Sequence, residues 1–168
     1  MFKKIVLTLA IAAASMSMMA QQKFAYFNPQ TIVPTMPEFT KAQQEVQTLE
    51  KQYTDDLQRM QTELQNKAKE YQAQADSLPA AIRERREQEL QQLQERLQQT
   101  YADNQQALQK ASQERMQAIQ AKLTAAVEEI GKADGYVLVI DETQGFPFIN
   151  KSICVDITAK IKAKLGLK

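Results

Sequence analysis

VQTLEKQYTDDLQRMQTELQNKAKEYQAQADSLP, residues 46–79, decides the fold. Apolar residues recur in it at steps of three and four: Val46, Leu49, Tyr53, Leu57, Met60, Leu64, Ala68, Tyr71, Ala75 and Leu78. Pro79 interrupts the run. The stepping then resumes with Leu90, Leu93, Leu97, Tyr101, Leu108, Met116, Ile119, Leu123, Val127 and Ile130, with slips near Asn104 and between Ala111 and Met116. A stripe this narrow is a coiled-coil seam; a helix lying on a globular core shows a broader apolar face. The remaining positions are mostly Gln, Glu, Lys, Arg and Ala, which are strong helix formers. Pro79 is the only proline between Glu38 and Lys132, and the first glycine of the chain is Gly131.

Two long helices follow, of about 38 and about 53 residues, or about 57 and about 80 Å at the α-helical rise. The break lies near residues 76–80. There Ser77 or Asp76 is placed to cap the second helix, and Pro79 fits only a first turn. Each seam needs a partner, and with so short a connection the nearest is the other arm. The expectation is an antiparallel hairpin over residues 38–132 with a wet outer surface.

Working outward, Met1–Lys4 is a short basic stretch. Ile5–Ala14 is apolar but too short to span a bilayer, and Ser15–Ala20 is small and flexible. Residues 1–20 therefore read as a secretory signal peptide with cleavage after Ala20. Without Lys3 and Lys4 the net charge passes from +1 to −1. Such a chain has no strong electrostatic preference for nucleic acid or anionic lipid, and no stable membrane insertion is expected of it. Cys154 is the sole cysteine, so no internal disulfide forms; between Ile153 and Val155 it reads as a buried, inert thiol.

Residues 21–37 and 133–168 flank the hairpin and form the second part. Lys23–Phe27 reads as a strand ended by Asn28-Pro29, and Pro37-Glu38 opens the first long helix. Gly131 and Asp134-Gly135 stop the second. Tyr136–Ile140 is a continuous apolar strand, buried on both faces or at a subunit contact. Phe146–Ile149 reads as an edge strand, because Pro147 cannot serve a central ladder. Asp156 caps a final helix whose Ile157, Ile161 and Leu165 share one side. A body of about 50 residues without disulfides or metal is too small for a secure core. Self-association through Phe24, Tyr26, Phe27, Val137, Leu138, Val139, Ile140, Phe146, Phe148, Ile149 and Ile153 would complete it.

The chain has no histidine, which excludes histidine bases, triads and metal sites; one cysteine excludes cysteine-rich zinc sites. Four glycines cannot build a phosphate-binding loop. Carboxylate pairs such as Asp55-Asp56 and Glu128-Glu129 read as surface charge on solvated helices. No enzyme activity, cofactor or metal is expected. Tyr53, Met60, Tyr71, Tyr101 and Met116 fall on or near the seams, where helix packing is the main reading and adaptable contact with an apolar client the sharper one. Leu78 and Ile82, at the tip, are the better candidates for client contact, since no third element is expected to cover them.

The order of parts resembles the Skp/OmpH family of periplasmic chaperones over essentially the whole mature chain. The residues that carry the likeness are Lys23–Phe27 leading into Met36–Phe39, then Gly135–Asp141, and Val155–Thr158 at the last helix. The resemblance implies a mainly α fold, with a long helical hairpin inserted in a small β-barrel-type oligomerisation body. It also implies a homotrimer whose three hairpins surround a cavity, and an ATP-independent holdase for unfolded outer-membrane proteins. One departure is visible. Residues 38–132 carry 13 basic and 16 acidic side chains, where the family's tentacles are basic, so no lipopolysaccharide site is carried over. The competing reading is a structural or adaptor coiled-coil protein of the cell envelope, which would hold a fixed, folded partner.

Overall fold

The structure, a computed structural model, describes residues 23–167. The signal peptide expected over 1–20 lies outside the described residues. The fold is mainly helical with a small strand region. In order come β1 (Lys23–Phe27), α1 (Pro29–Ile32), a 3-10 turn (Val33–Thr35), α2 (Pro37–Gln74), α3 (Ala80–Asp134), β2 (Tyr136–Asp141), β3 (Cys154–Asp156) and α4 (Thr158–Lys164). Two compact units divide the chain: one takes the residues up to Thr35 and from Lys122 onward, the other Met36–Ala121.

In the first unit β1 is the central strand of an open, three-stranded sheet of order β2-β1-β3. Both neighbours run parallel to it, Phe24–Phe27 level with Leu138–Asp141 and Phe24–Tyr26 level with Cys154–Asp156. Parallel neighbours need long crossovers, and between β1 and β2 the two long helices supply one. A single chain thus presents an open sheet, where the family resemblance implies a β-barrel-type body. The edge strand expected at Phe146–Ile149 is not formed. Pro147 offers no donor and Gly145 takes a left-handed φ of 76°, so pairing with β1 passes to Cys154–Asp156.

The core of this unit is small. Ala25, Tyr26 and Phe27 from β1, Ile32 from α1 and Ile157 and Ile161 beside and within α4 are buried, with α4 packed on α1. Leu123, Ala126 and Ile130 add one face of the last turns of α3. Gly131 does not stop α3, which continues to Asp134; the stop is Gly135, at φ 71°. Asn28 does end β1, and it also caps α1, its side chain accepting from the Thr31 amide at 3.3 Å with Pro29 at the first helical position. The Asp156 carboxylate accepts the Thr158 amide at 2.9 Å, as expected of a residue opening α4.

In the second unit Met36 accepts the Phe39 and Thr40 amides, Pro37 occupies the first turn of α2 and Glu38 follows it. Ser77 does not cap α3: its hydroxyl donates back to the Gln74 carbonyl at 2.8 Å, closing the end of α2, while the Pro79 carbonyl accepts the Ile82 and Arg83 amides that begin α3. Glu45 on α2 pairs with Arg115 on α3 at 2.7 Å, and Tyr71 on α2 donates to Glu87 on α3. Early residues of one helix meet late residues of the other, so the pairing is antiparallel.

Candidate functional site

Two kinds of surface could act, and they lie in different units. In the sheet unit, large apolar side chains stay exposed on β2, on the following loop and on β3. Val137 is 61 % exposed, Phe148 77 % and Ile153 67 %. Leu138, Phe146 and Val155 are each about half exposed. An open apolar surface on so small a unit is the kind that another chain covers. Val155 was not among the assembly residues read from the sequence, where it served to bury Cys154 and to open the Val155–Thr158 stretch; its signal was the short apolar alternation with Ile153. Cys154 itself is half-buried.

The other residues expected to assemble the body sit differently. Tyr26 and Phe27 are buried inside the single chain, which removes them from any surface. Phe24, Val139, Ile140 and Ile149 are half-buried. The loop that carries Phe146 and Phe148 is anchored at its base. The Glu142 amide donates to the Phe27 carbonyl, and the Glu142 carboxylate accepts from Asn28 Nδ2 at 2.5 Å and pairs with Lys151 at 3.2 Å. Lys151 also stands 4.9 Å above the Tyr26 ring. Donation to Glu142, and then its charge, raise the Lys151 pKa above the usual lysine value. These contacts fix the ends of the loop and leave its two phenylalanines in water.

In the two-helix unit no side chain between Glu38 and Ala118 is fully buried. Tyr53, Met60, Tyr71 and Met116 are half-buried along the line where the helices face each other. Leu78 is half-buried as well, and lines a small hollow with Tyr71 and Leu90. Ile82 is 42 % exposed, so of the two tip candidates it is the freer. Tyr101 does not join the seam. It is 56 % exposed, and Thr100 and Asn104 take the half-buried steps on either side of it. The slip near Asn104 had made the phase of this stretch ambiguous. Farther along, Phe39, Val46 and Met116 line an open groove with Arg115 at its rim. Arg115 holds the Glu45 carboxyl below its usual range by its hydrogen bond and charge, while the bond to Glu87 raises the Tyr71 phenol.

Among the described residues, no group of three or more Cys, Asp or Glu is placed to hold a metal ion, and no helix is long and apolar enough to cross a membrane. The chain thus combines an open parallel sheet, apolar and exposed, with two long antiparallel helices. The chain belongs to the OmpH-like family: the family model described as Outer membrane protein (OmpH-like) matches residues 23–165. The chain is also similar in fold to an OmpH-like candidate outer membrane chaperone from Caulobacter crescentus CB15. That match has a TM-score of 0.73 at 18 % identity, covering 87 % of this chain and 85 % of the other. No curated protein matches the sequence.

Proposed function

We propose that this protein is a periplasmic, ATP-independent holdase that binds unfolded outer-membrane proteins and keeps them from aggregating in transit. Membership of the OmpH-like family supports a chaperone role. The working form in this reading is a homotrimer, in which three open sheets close into a barrel-type body and the helix pairs serve as arms. The observation that carries it is the exposed set Val137, Leu138, Phe146, Phe148, Ile153 and Val155 on a unit whose own core is small. A surface that apolar on a monomer is unfavourable in water until a like surface covers it.

The arms suit a holdase physically. Their seams are half-open, so they offer many weak apolar contacts and no deep pocket. Unfolded chains expose groups that such contacts hold, and folded clients bury the same groups. The test is the light-scattering mass of residues 21–168 alone and mixed with an outer-membrane barrel protein diluted from urea. A soluble particle of three chains and one client is expected. If the client precipitates and the chain elutes alone, the holdase reading fails, and the envelope-adaptor reading takes its place.

A further inference from the structure

Along α3 the half-buried positions of the two-helix unit read Leu90, Leu93, Leu97, then Thr100 and Asn104, then Ala107 and Leu108. For two successive steps the seam thus offers polar side chains where leucines stand on the tip side. The one large apolar residue of α3 between Leu97 and Leu108, Tyr101, is 56 % exposed. The Asn104 Nδ2 is buried and finds no acceptor among the described residues. A buried donor without an acceptor, where its own helix supplies no apolar knob for two steps, is a local weakness in a helix pair.

The opposite helix brings half-buried Tyr53, Leu57 and Met60 around this layer but no acceptor for Asn104. The Glu45–Arg115 and Tyr71–Glu87 pairs set a register that places Asn104 level with residues 54–56. Of these three only Asp56 is half-buried. Its carboxylate is engaged with Arg59 of its own helix. The two cross-helix pairs also flank the layer, one toward each end of the unit. We infer that the Thr100–Asn104 layer is a joint: the two helices part here first, while the segments locked by Glu45–Arg115 and by Tyr71–Glu87 stay paired. This conformational device is independent of what the arms bind.

Hydrogen exchange on the full chain tests it. Local opening exposes backbone amides in proportion to the population of the open form. Amides of residues 100–108 are expected to exchange at least about tenfold faster than those of 90–97 and 115–121. Asn104→Leu should slow the 100–108 amides about tenfold and raise the thermal midpoint. Gln105→Leu, at an exposed neighbouring position, should do neither. Uniform exchange along α3 in the unaltered protein overturns the joint. So does an Asn104→Leu variant whose 100–108 amides exchange as fast as before. Because the first of these readings needs no variant, misfolding of Asn104→Leu does not protect the idea.

Discussion

Phe148 is 77 % exposed in the single chain, which makes Phe148→Ser a clean probe of assembly. Fully burying a phenylalanine is worth about 1.5–3 kcal/mol, so covering the exposed three-quarters gains about 1–2 kcal/mol per copy. In the proposed closed trimer, three copies together lose about 3–6 kcal/mol when the phenyl group is removed. That raises the three-body dissociation constant by about 10² to 10⁴. The midpoint concentration scales as its square root and rises by about 10 to 10². Sedimentation or light scattering over a dilution series reads this directly, with far-UV circular dichroism as the check on folding. The single-chain fold should survive, because Phe148 lies on a loop anchored through Glu142 rather than in the core. Phe27→Ala is the contrast: Phe27 is 8 % exposed, and its loss should cost about 3–5 kcal/mol of folding stability. A Phe148→Ser dilution curve that superposes on the unaltered one would refute the assembly argument. So would loss of helical signal at every concentration, which would make Phe148 a folding residue.

Further expectations follow from single contacts. Gly135 ends α3 at φ 71° with nothing within 4 Å of a would-be Cβ, so Gly135→Ala should cost only backbone strain, roughly 1–2 kcal/mol in urea melts. The Glu45 and Glu129 carboxyls are held below the ordinary glutamate value of about 4.5, chiefly by hydrogen bonds from Arg115 and Lys164. Their contribution is present above that value and is lost as pH falls through the depressed one; urea midpoints for Arg115→Met should show a shallower acid limb. Lys151 is raised above 10.5, so its contribution holds below that pH and is lost as pH climbs through the raised value; Lys151→Met should flatten that alkaline loss. At the tip, 42 % exposure of Ile82 leaves about 0.6–1.3 kcal/mol for a client to gain. Ile82→Ser should then weaken client binding by about 3- to 10-fold, measured by fluorescence titration, and an unchanged affinity would make the tip a turn only.

The long helices were legible because period and punctuation agree. One proline separates two seams, and the observed bounds, Pro37–Gln74 and Ala80–Asp134, fall within a residue or two of those read from the pattern. Gly131 misled because a glycine inside a helix costs only about 1 kcal/mol against alanine, and here Leu123, Ala126 and Ile130 pack the same turns. Short elements were the other losses. α1 has four residues and β3 three, too few to show any period, although Asn28-Pro29 carried a cap signal that was read only as a strand end. Exposure was the least legible property. Tyr26 and Phe27 look no different in sequence from Val137 and Leu138, yet the first pair lies in the core and the second in water. The difference comes from β1 being central with α1 and α4 nearby, a tertiary fact that no local pattern encodes.

Charge on the two-helix unit bears on how a client would be held. Several of its ionic groups are matched on their own helices: Lys41 with Glu45 at 3.8 Å, Lys51 with Asp55 at 2.5 Å, Arg85 with Glu89 at 3.4 Å and Lys110 with Glu114 at 3.9 Å. Each such exposed pair is worth well under 1 kcal/mol to stability, but each also cancels the field a distant client would feel. On the proposed holdase reading, clients would be recruited by apolar contact along the half-open seams, not by attraction from afar. Raising salt from about 0.01 to about 0.15 M shortens the screening length from about 30 to about 8 Å. Client affinity should change less than about threefold across that range, because little long-range attraction exists to be screened. A tenfold or steeper loss in the same titration would mean that unpaired basic groups on the arms do the recruiting, and the apolar account of capture would have to be given up.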